Sequence, residues 1–224
     1  MQMHITLENL IKHNAHLGHH SSKMSRDMSS YIIGRRNGFD ILDLNQTIVN
    51  LRRACLFLYE LSSRRGNILF VSLRNEDSDT IKSAASSCSQ PYIVKQWVPG
   101  FFTNWSHFET IKKSRNYADE EYKLGKRTRN TLAGLSKLES LPDAIILTGV
   151  NSAQTLMKES LSMGIPVIGI ADSNTKSRNL SITIPGNDDS PETVKLFLDI
   201  LANAIRKGSV RNANSLNENL FISK

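Results

Sequence analysis

The stretch IPGNDDS, residues 184–190, places Asp188 and Asp189 side by side at the expected end of a buried strand. Two carboxylates at a strand end could hold a hard cation such as Mg²⁺, which takes oxygen ligands. The same residues also have local backbone roles, because Pro-Gly-Asn-Asp is a turn sequence and Ser190 followed by Pro191 is typical of a helix start. The local pattern favours a turn and a helix cap over a metal enzyme.

Histidines in the segment HLGHH offer a second candidate for a metal site. His16, His19 and His20 are spaced i, i+3 and i+4, which would place them on one face of a helix. No cysteine or carboxylate lies beside them in the sequence to complete a ligand set. Asp172 follows the run IPVIGIA at a strand end, where α/β sheets bind ligands, but it fits a turn equally well. We therefore expect no metal and no cofactor.

Other features exclude several classes of protein. No G-x-G-x-x-G or Walker lysine pattern follows the run ILFVSL, so a nucleotide or other small-molecule substrate is not expected. Cys55 and Cys88 lie in helical patterns and are expected to be buried, reduced thiols. No apolar run approaches the roughly 20 residues that cross a bilayer. The N-terminal residues lack the pattern of a secretory or transit peptide, so we expect either no import or a presequence already removed.

The charge of the chain is its first positive indication of function. The net charge is +7 and the isoelectric point is about 9.5, which favours a polyanionic partner such as RNA. The excess is segregated, since residues 111–137 contain eight bases and three acids, and residues 1–74 contain ten bases and five acids. A segregated excess predicts defined basic surfaces.

Apolar patterns predict an α/β fold. Three short runs rich in β-branched residues, at 68–73, 143–149 and 165–172, are typical of buried parallel strands. Helical patterns separate or follow them, at residues 45–64, 152–163 and 194–205. This alternation predicts a parallel sheet flanked by helices.

Three further segments complete the expected organisation. The segment YIIGRRNGFDILDL contains two strand-like runs joined by an Asn-Gly turn, which predicts a β-hairpin with a basic loop. Residues 106–141 change to a pattern of two polar helices, and we place a protruding helical hairpin there. We expect one α/β domain over residues 1–208, interrupted by this hairpin, and a flexible tail over residues 209–224.

The segment KQWVPGFFTNW, residues 95–105, joins a base to several aromatic side chains. Aromatic rings beside a base can stack on unpaired nucleotides and contact the RNA backbone. Trp97, Phe101 and Phe102 could equally pin a loop into the core. The sequence leaves these two interpretations open.

Seven segments together resemble one known family in order and spacing: GHHSSKM, YIIGRRNGFDILDLNQT, ILFVSLRN, QWVPGFFTNW, LPDAIIL, IPVIGIADSN and IPGNDDS. They closely resemble the signature blocks of the small-subunit ribosomal protein S2 family, from about residue 7 to residue 208. The resemblance implies a flavodoxin-like parallel sheet with a protruding helical hairpin. It also implies binding to rRNA and neighbouring small-subunit ribosomal proteins, and no catalysis.

Candidate RNA contacts combine this resemblance with the basic segments. We expect the chain to grip rRNA phosphates with side chains of its basic and aromatic segments. The residues concerned are Lys23, Arg26, Arg35, Arg36, Arg74, Lys95, Trp97, Asn104, Lys112, Lys113, Arg115, Lys126, Arg127 and Arg129.

Departures from the family pattern suggest where the protein works. The chain reads SSKM where the family usually has asparagine-proline-lysine-methionine preceded by tryptophan, and Ser72-Leu73 where the family has glycine-threonine. Gln96 replaces an arginine, and the hairpin is shorter than in the bacterial pattern. These differences suggest an organellar member, and we expect the mitochondrial ribosome, with a plastid or bacterial cytoplasm as alternatives.

Two other functions remain compatible with the sequence. A metal- or phosphate-dependent hydrolase could use the same doubly wound fold, because a fold does not determine a function. A protein-binding scaffold that acts apart from the ribosome is the third possibility. Co-sedimentation with small subunits would separate the ribosomal function from both alternatives.

Overall fold

The computed structural model describes residues 5–106, 109–110, 134–135 and 138–222, with side chains described through residue 212. Its α-helices are α1 (Leu7–Lys12), α2 (Leu44–Ser63), α3 (Ser78–Ser87), α4 (Gln154–Ser162) and α5 (Pro191–Ile222). Its strands are β1 (Leu17–His20), β2 (Ile32–Arg36), β3 (Phe39–Leu42), β4 (Ile68–Ser72), β5 (Tyr92–Val94), β6 (Ala144–Thr148), β7 (Val167–Ala171) and β8 (Ile182–Pro185). Short 3₁₀ helices cover Ser21–Lys23, Arg26–Tyr31 and Val150–Ala153.

The main sheet has five parallel strands in the order β5-β4-β6-β7-β8. Numbered along the chain within this sheet, the order is 2-1-3-4-5, which is that of the flavodoxin-like fold. The three apolar runs predicted as buried strands are β4, β6 and β7. The predicted fold class, a flavodoxin-like parallel sheet flanked by helices, is therefore confirmed. The three-residue strand β5 was not predicted, because so short a run carries little periodicity.

Two hydrophobic cores cover the two faces of this sheet. Every residue of β4, β6 and β7 is buried, as expected for parallel strands covered on both sides. Alternate residues face opposite ways, so that Phe70 packs with α2, α3 and α5 whereas Leu69 packs with α4. The continuous apolar runs of the sequence are thus the central sheet of a three-layer domain, with helices packed on both faces of that sheet.

Close packing of α2 against α5 explains a glycine within a helix. A Cβ atom at Gly208 would lie 2.4 Å from the carbonyl oxygen of Tyr59 on α2. Beside this contact, Ser62 donates a hydrogen bond of 2.8 Å to the carbonyl oxygen of Ile205. The backbone of α5 continues past Gly208 to Ile222, so the expected boundary at residue 208 does not end the helix. The flexibility of the tail stays a prediction.

A second, smaller sheet is formed by residues near the N-terminus and is called the N-terminal sheet. Its order is β1-β3-β2, and both pairs are antiparallel. The predicted hairpin is present as β2 and β3, joined by Asn37 and Gly38 at φ 50° and 82°, the left-handed values that such a tight turn requires. The helical arrangement considered for HLGHH is wrong, because four of its five residues, Leu17–His20, form strand β1, which pairs with β3.

Only the ends of the predicted helical hairpin are among the described residues. Leu135 and Leu138 are buried in the core on the α4 side of the sheet. The carbonyl oxygen of Gly134 accepts a hydrogen bond of 3.1 Å from the amide of Tyr92 on β5. The C-terminal end of the segment assigned to the hairpin is thus part of the domain body. Within the described part of the chain, no helix combines the length and apolarity needed to cross a membrane.

Candidate functional site

The N-terminal sheet is attached to the carboxyl edge of the main sheet, where flavodoxin-like folds bind their ligands. The amide of His19 donates to the hydroxyl of Ser173 at 2.9 Å, and the amide of Ser25 donates to the carbonyl oxygen of Ser173 at 2.8 Å. A Cβ atom at Gly18 would lie 2.8 Å from the same hydroxyl, so only glycine permits this approach. These contacts bring His19 beside the loop that follows β7.

An ionic network occupies this edge. Arg74, in the loop after β4, lies 3.1 Å from a carboxylate oxygen of Asp189 and 3.5 Å from one of Asp188. Its guanidinium also contacts Glu76 at 2.9 Å and Asp77 at 3.9 Å. The Asp77 side chain in turn accepts hydrogen bonds from Ser72 and Thr148, at the ends of β4 and β6. Arg74 therefore links acids from two separate loops and leaves little of its charge for an outside partner.

His19 extends the network to the loop after β7. Its Nδ1 atom lies 2.9 Å from Asp172 and its Nε2 atom lies 3.1 Å from Asp189. One ligand atom from each of these three residues lies within 4.8 Å of the others, a spacing that a metal ion could bridge. The two carboxylates, however, contact different ring nitrogens, and a single ion cannot bind both nitrogens of one ring. The geometry favours a histidine held between two carboxylates, by a hydrogen bond to Asp172 and an ionic contact with Asp189.

Burial alters the ionisation of the acids in the network. The pKa of Asp188 is raised to about 7, chiefly by burial and also by the charge of Asp172, against the lowering effect of Arg74. Burial also raises the pKa of Asp172, against the lowering effects of the Ser173 amide and of His19. Burial alone would lower the pKa of Arg74, but its hydrogen bond to Glu76 and the charge of Asp188 raise it. Arg74 thus stays charged, whereas Asp188 takes up a proton near neutral pH.

The stretch IPGNDDS forms the predicted turn and helix cap. The Asn187 side chain accepts hydrogen bonds from the amides of Asp189 and Ser190, at 3.0 and 3.2 Å. The Ser190 hydroxyl accepts from the amide of Thr193 at 3.4 Å, and α5 begins at Pro191. The local interpretation is confirmed, and the structure adds the ion pairs to Arg74 and His19.

A cavity of about 290 Å³ lies near the ends of β4 and β5, in the region where a flavodoxin-like enzyme would hold its ligand. Its lining residues are Leu73, Lys95, Gln96, Trp97, Pro99, Ser152, Ala153, Thr155 and Leu156. None of these has a carboxylate, imidazole or thiol group. The cavity therefore has no acid–base pair among the residues that line it.

The aromatic loop is pinned into the core by Glu159 of α4. This buried side chain accepts hydrogen bonds from the indole of Trp97 at 3.1 Å and from the amides of Gly100 and Phe102 at 2.8 and 3.3 Å. Trp97 is only 7 % exposed and packs edge-on against Phe101 and Phe102. These contacts support the interpretation of Trp97 as a structural anchor of the loop, and its predicted contact with RNA stays a prediction.

The predicted RNA-binding cations have different environments. The guanidinium of Arg74 is held by the acids described above, and its predicted contact with RNA stays a prediction. Arg35 donates from Nε to the buried Asp40 at 3.0 Å, so part of its charge compensates that carboxylate. The remaining candidates that the structure describes are exposed: Lys23, Arg26, Arg36, Lys95 and Asn104. Three of them, Lys23, Arg26 and Arg36, belong to the N-terminal sheet and the 3₁₀ turns beside it, and we call these three residues the basic surface.

Comparison with known proteins decides the family. Residues 10–208 match the family model described as ribosomal protein S2. The chain belongs to the ribosomal protein S2 family. It is 31% identical over 216 residues to the small ribosomal subunit protein uS2 of Karelsulcia muelleri (strain GWSS), covering 89% of this chain and 97% of that protein. It is 30% identical over 221 residues to the uS2 protein of Shewanella piezotolerans (strain WP3 / JCM 13877), covering 91% of each.

Membership of the S2 family agrees with the resemblance found in the sequence, but two features of the site were missed there. Glu159 lies in a helical pattern, where nothing local shows that it faces a loop about sixty residues away. Phe39 begins the strand FDIL, in which Asp40 and Leu42 are buried and Phe39 is exposed. Strict alternation in this strand was the signal that could have identified Phe39 as a surface residue.

Six of the predicted RNA contacts of this S2-family chain lie outside the described residues. They are Lys112, Lys113, Arg115, Lys126, Arg127 and Arg129. They rest on the charge of their segment alone, and their role stays a prediction.

Proposed function

We propose that this chain is a structural component of the small ribosomal subunit, where it binds rRNA and neighbouring ribosomal proteins and supports translation. The observation that carries the proposal is the match of residues 10–208 to the ribosomal protein S2 model. Its relatives in two bacteria are named as small ribosomal subunit proteins. A net charge of +7 agrees with a polyanionic partner.

The basic surface is the part of the described chain best suited to rRNA. Lys23, Arg26 and Arg36 are exposed, and none of them takes part in the ion pairs found among the described residues. Cations without acidic partners can neutralise phosphates and release the counterions that surround RNA. Such contacts position a protein on RNA without reading its sequence.

We propose no catalysis. The acids and the histidine at the carboxyl edge are engaged with one another and with Arg74, which supports a structural role for them. The neighbouring cavity is lined without an acid–base pair, so no observation favours the hydrolase considered for the sequence.

Two finer parts of the proposal rest on the sequence. The basic segment of residues 112–129 would act as a helical hairpin that contacts rRNA or a ribosomal protein, and its support is its charge. The ribosome would be mitochondrial, and the support is the set of departures at SSKM, Ser72-Leu73 and Gln96. The bacterial relatives suit a bacterial cytoplasm as well, and fractionation of the source cells would decide between these compartments.

We expect the full chain, expressed with an epitope tag in its source cells, to co-sediment with small ribosomal subunits in a density gradient. It should stay with the subunits after a wash at moderate salt, because an integral component has many contacts. Recovery only at the top of the gradient, as free protein, would reject the ribosomal function and favour the detached scaffold.

Replacing both Arg26 and Arg36 with alanine should reduce the salt dependence of binding to small-subunit rRNA. Each lost phosphate contact removes roughly 0.7–0.9 units from the slope of log K against log salt, so the pair should lower it by about 1.4–1.8 units. Filter binding across a salt series measures the slope. Lys82→Ala is the matched control, since Lys82 is partly exposed on α3 and already pairs with Asp79 at 3.2 Å. A slope equal to that of the wild-type protein would place the basic surface away from RNA.

A further inference from the structure

The outer face of the N-terminal sheet carries an exposed aromatic ring in a basic setting. Phe39 is 49 % exposed although it lies in β3, the central strand of the three. Its neighbours along the strand alternate, with Asp40 and Leu42 buried on the opposite face. A half-exposed phenylalanine in the middle of a sheet leaves apolar surface in water, which a partner can cover.

Cross-strand pairing places a basic side chain on each side of this ring. Phe39 pairs with His20 of β1 and with Arg36 of β2, so all three side chains share one face and one row. The His20 ring meets the Phe39 ring edge-on, with centroids 5.7 Å apart. The His20 ring therefore does not stack in parallel on the Phe39 ring.

The next row of the same face contains Leu17, Ile41 and Gly34, and it is open at Gly34. Gly34 of β2 pairs with Ile41 of β3, and a Cβ atom at Gly34 would meet no atom within 4 Å. The space over Gly34, one row from Phe39 and next to Arg36 along β2 on the same face, is thus free for a flat group lying against the sheet.

From this arrangement we propose that the outer face of the N-terminal sheet binds an unpaired nucleotide of rRNA, with its base stacked on Phe39 and its phosphate beside Arg36. Aromatic side chains on a sheet, flanked by cations, are a general means of holding single-stranded RNA. Arg36 pairs directly with Phe39 on this face and has no acidic partner among the ion pairs of the described residues, so the setting of the ring suits a polyanion better than an apolar protein surface. This inference rests on the proposed function and adds a stacking contact to it.

The test uses the full-length protein and two RNA probes. One is a single strand of about twelve nucleotides, within the usual footprint of such sites, with 2-aminopurine at its centre. The other is a hairpin in which every nucleotide is paired, because a non-nucleotide linker joins its two strands, and it has the same number of phosphates. Binding is measured by anisotropy, and stacking by quenching of the 2-aminopurine emission.

Phe39→Leu should weaken binding of the single strand about tenfold and abolish the quenching, because leucine keeps the apolar contact of the strand but has no aromatic face. Binding of the paired hairpin should change by less than about twofold, since its bases are already stacked. Phe39→Trp should retain both affinity and quenching. Arg36→Ala should weaken both probes, because phosphates are present in each.

Ile33→Ala is the matched control, as Ile33 is another exposed apolar residue of the same sheet, 69 % exposed. It should leave both probes unaffected. Phe39→Leu should unfold at the same temperature as the wild-type protein. If it unfolds at a lower temperature, the test uses Phe39→Trp instead, which keeps an aromatic ring and should retain both affinity and quenching.

Unchanged single-strand affinity and quenching in Phe39→Leu would overturn the inference. If that variant instead entered small subunits poorly while binding both RNA probes normally, the face would be a protein contact and the inference would also fail. A wrong proposed function would give a different result, because the wild-type protein itself would then not co-sediment with small subunits.

Discussion

Replacing Glu159 with alanine is expected to lower the free energy of unfolding by about 3–5 kcal/mol, since hydrogen bonds to a buried carboxyl group are strong and three are lost. The donors left behind, the Trp97 indole and the amides of Gly100 and Phe102, lie in a largely buried loop. Unsatisfied buried donors are costly, so the loop should loosen before the rest of the domain unfolds. Urea denaturation followed by circular dichroism and by tryptophan emission measures both effects.

Glu159→Gln provides the graded comparison for this prediction. Its amide oxygen can still accept hydrogen bonds, but its amino group would face a donor, so the loss should be smaller, at about 1–2 kcal/mol. Glu60→Ala removes an exposed acid from α2 and should change stability by less than about 0.5 kcal/mol. A loss below about 1 kcal/mol in Glu159→Ala would show that water replaces the carboxyl group at little cost.

Arg74→Met should destabilise the protein by about 3 kcal/mol at pH 8 and by about 1 kcal/mol at pH 5. Methionine keeps much of the side-chain stem, which packs beside Gly149. It removes the charge that faces Asp188 and Asp189. At pH 8 Asp188 would have to ionise without its cation, whereas at pH 5 Asp188 is protonated in either protein. Denaturant unfolding at the two pH values measures the difference.

The wild-type protein should show a related pH dependence. The pKa of Asp188 is raised to about 7 in the folded state, above its ordinary value in the unfolded chain. The folded state therefore binds more protons than the unfolded state, and this contribution to stability is complete at low pH and is lost as pH rises through about 7. Asp188→Asn should remove that loss.

The double variant Arg74→Met, Asp188→Asn tests whether the two effects share one cause. Without the buried carboxylate, the cost of removing Arg74 at pH 8 should fall to less than about half, because contacting residues couple by about 0.5–3 kcal/mol. Arg53→Met, at an exposed position of α2, controls for the loss of any arginine. Additive effects of the two changes would contradict the ion pairing as the source of the pH dependence.

Features set by neighbours along the chain could be predicted from the sequence. The buried strands β4, β6 and β7 were found because continuous β-branched runs are typical of strands covered on both faces. The Asn37-Gly38 turn and the helix start at Ser190 and Pro191 were found because each depends on the backbone preferences of a few adjacent residues. The same local signals could not show that α5 continues past Gly208, since that residue is required there by contact with α2.

Features that depend on contacts between distant segments were decided only by the tertiary structure. The sequence places Arg74 among the basic residues, but folding brings it within 3.1 Å of Asp189, more than a hundred positions away. His19 meets Asp172 at a separation of 153 residues, a partner that no spacing pattern predicts. The sequence left open whether Trp97 is exposed or buried, and the structure shows its buried indole donating a hydrogen bond to Glu159. Charge, aromatic character and periodicity are properties of residues and short segments, whereas ion pairing and burial depend on distances that exist only after the sheet has assembled.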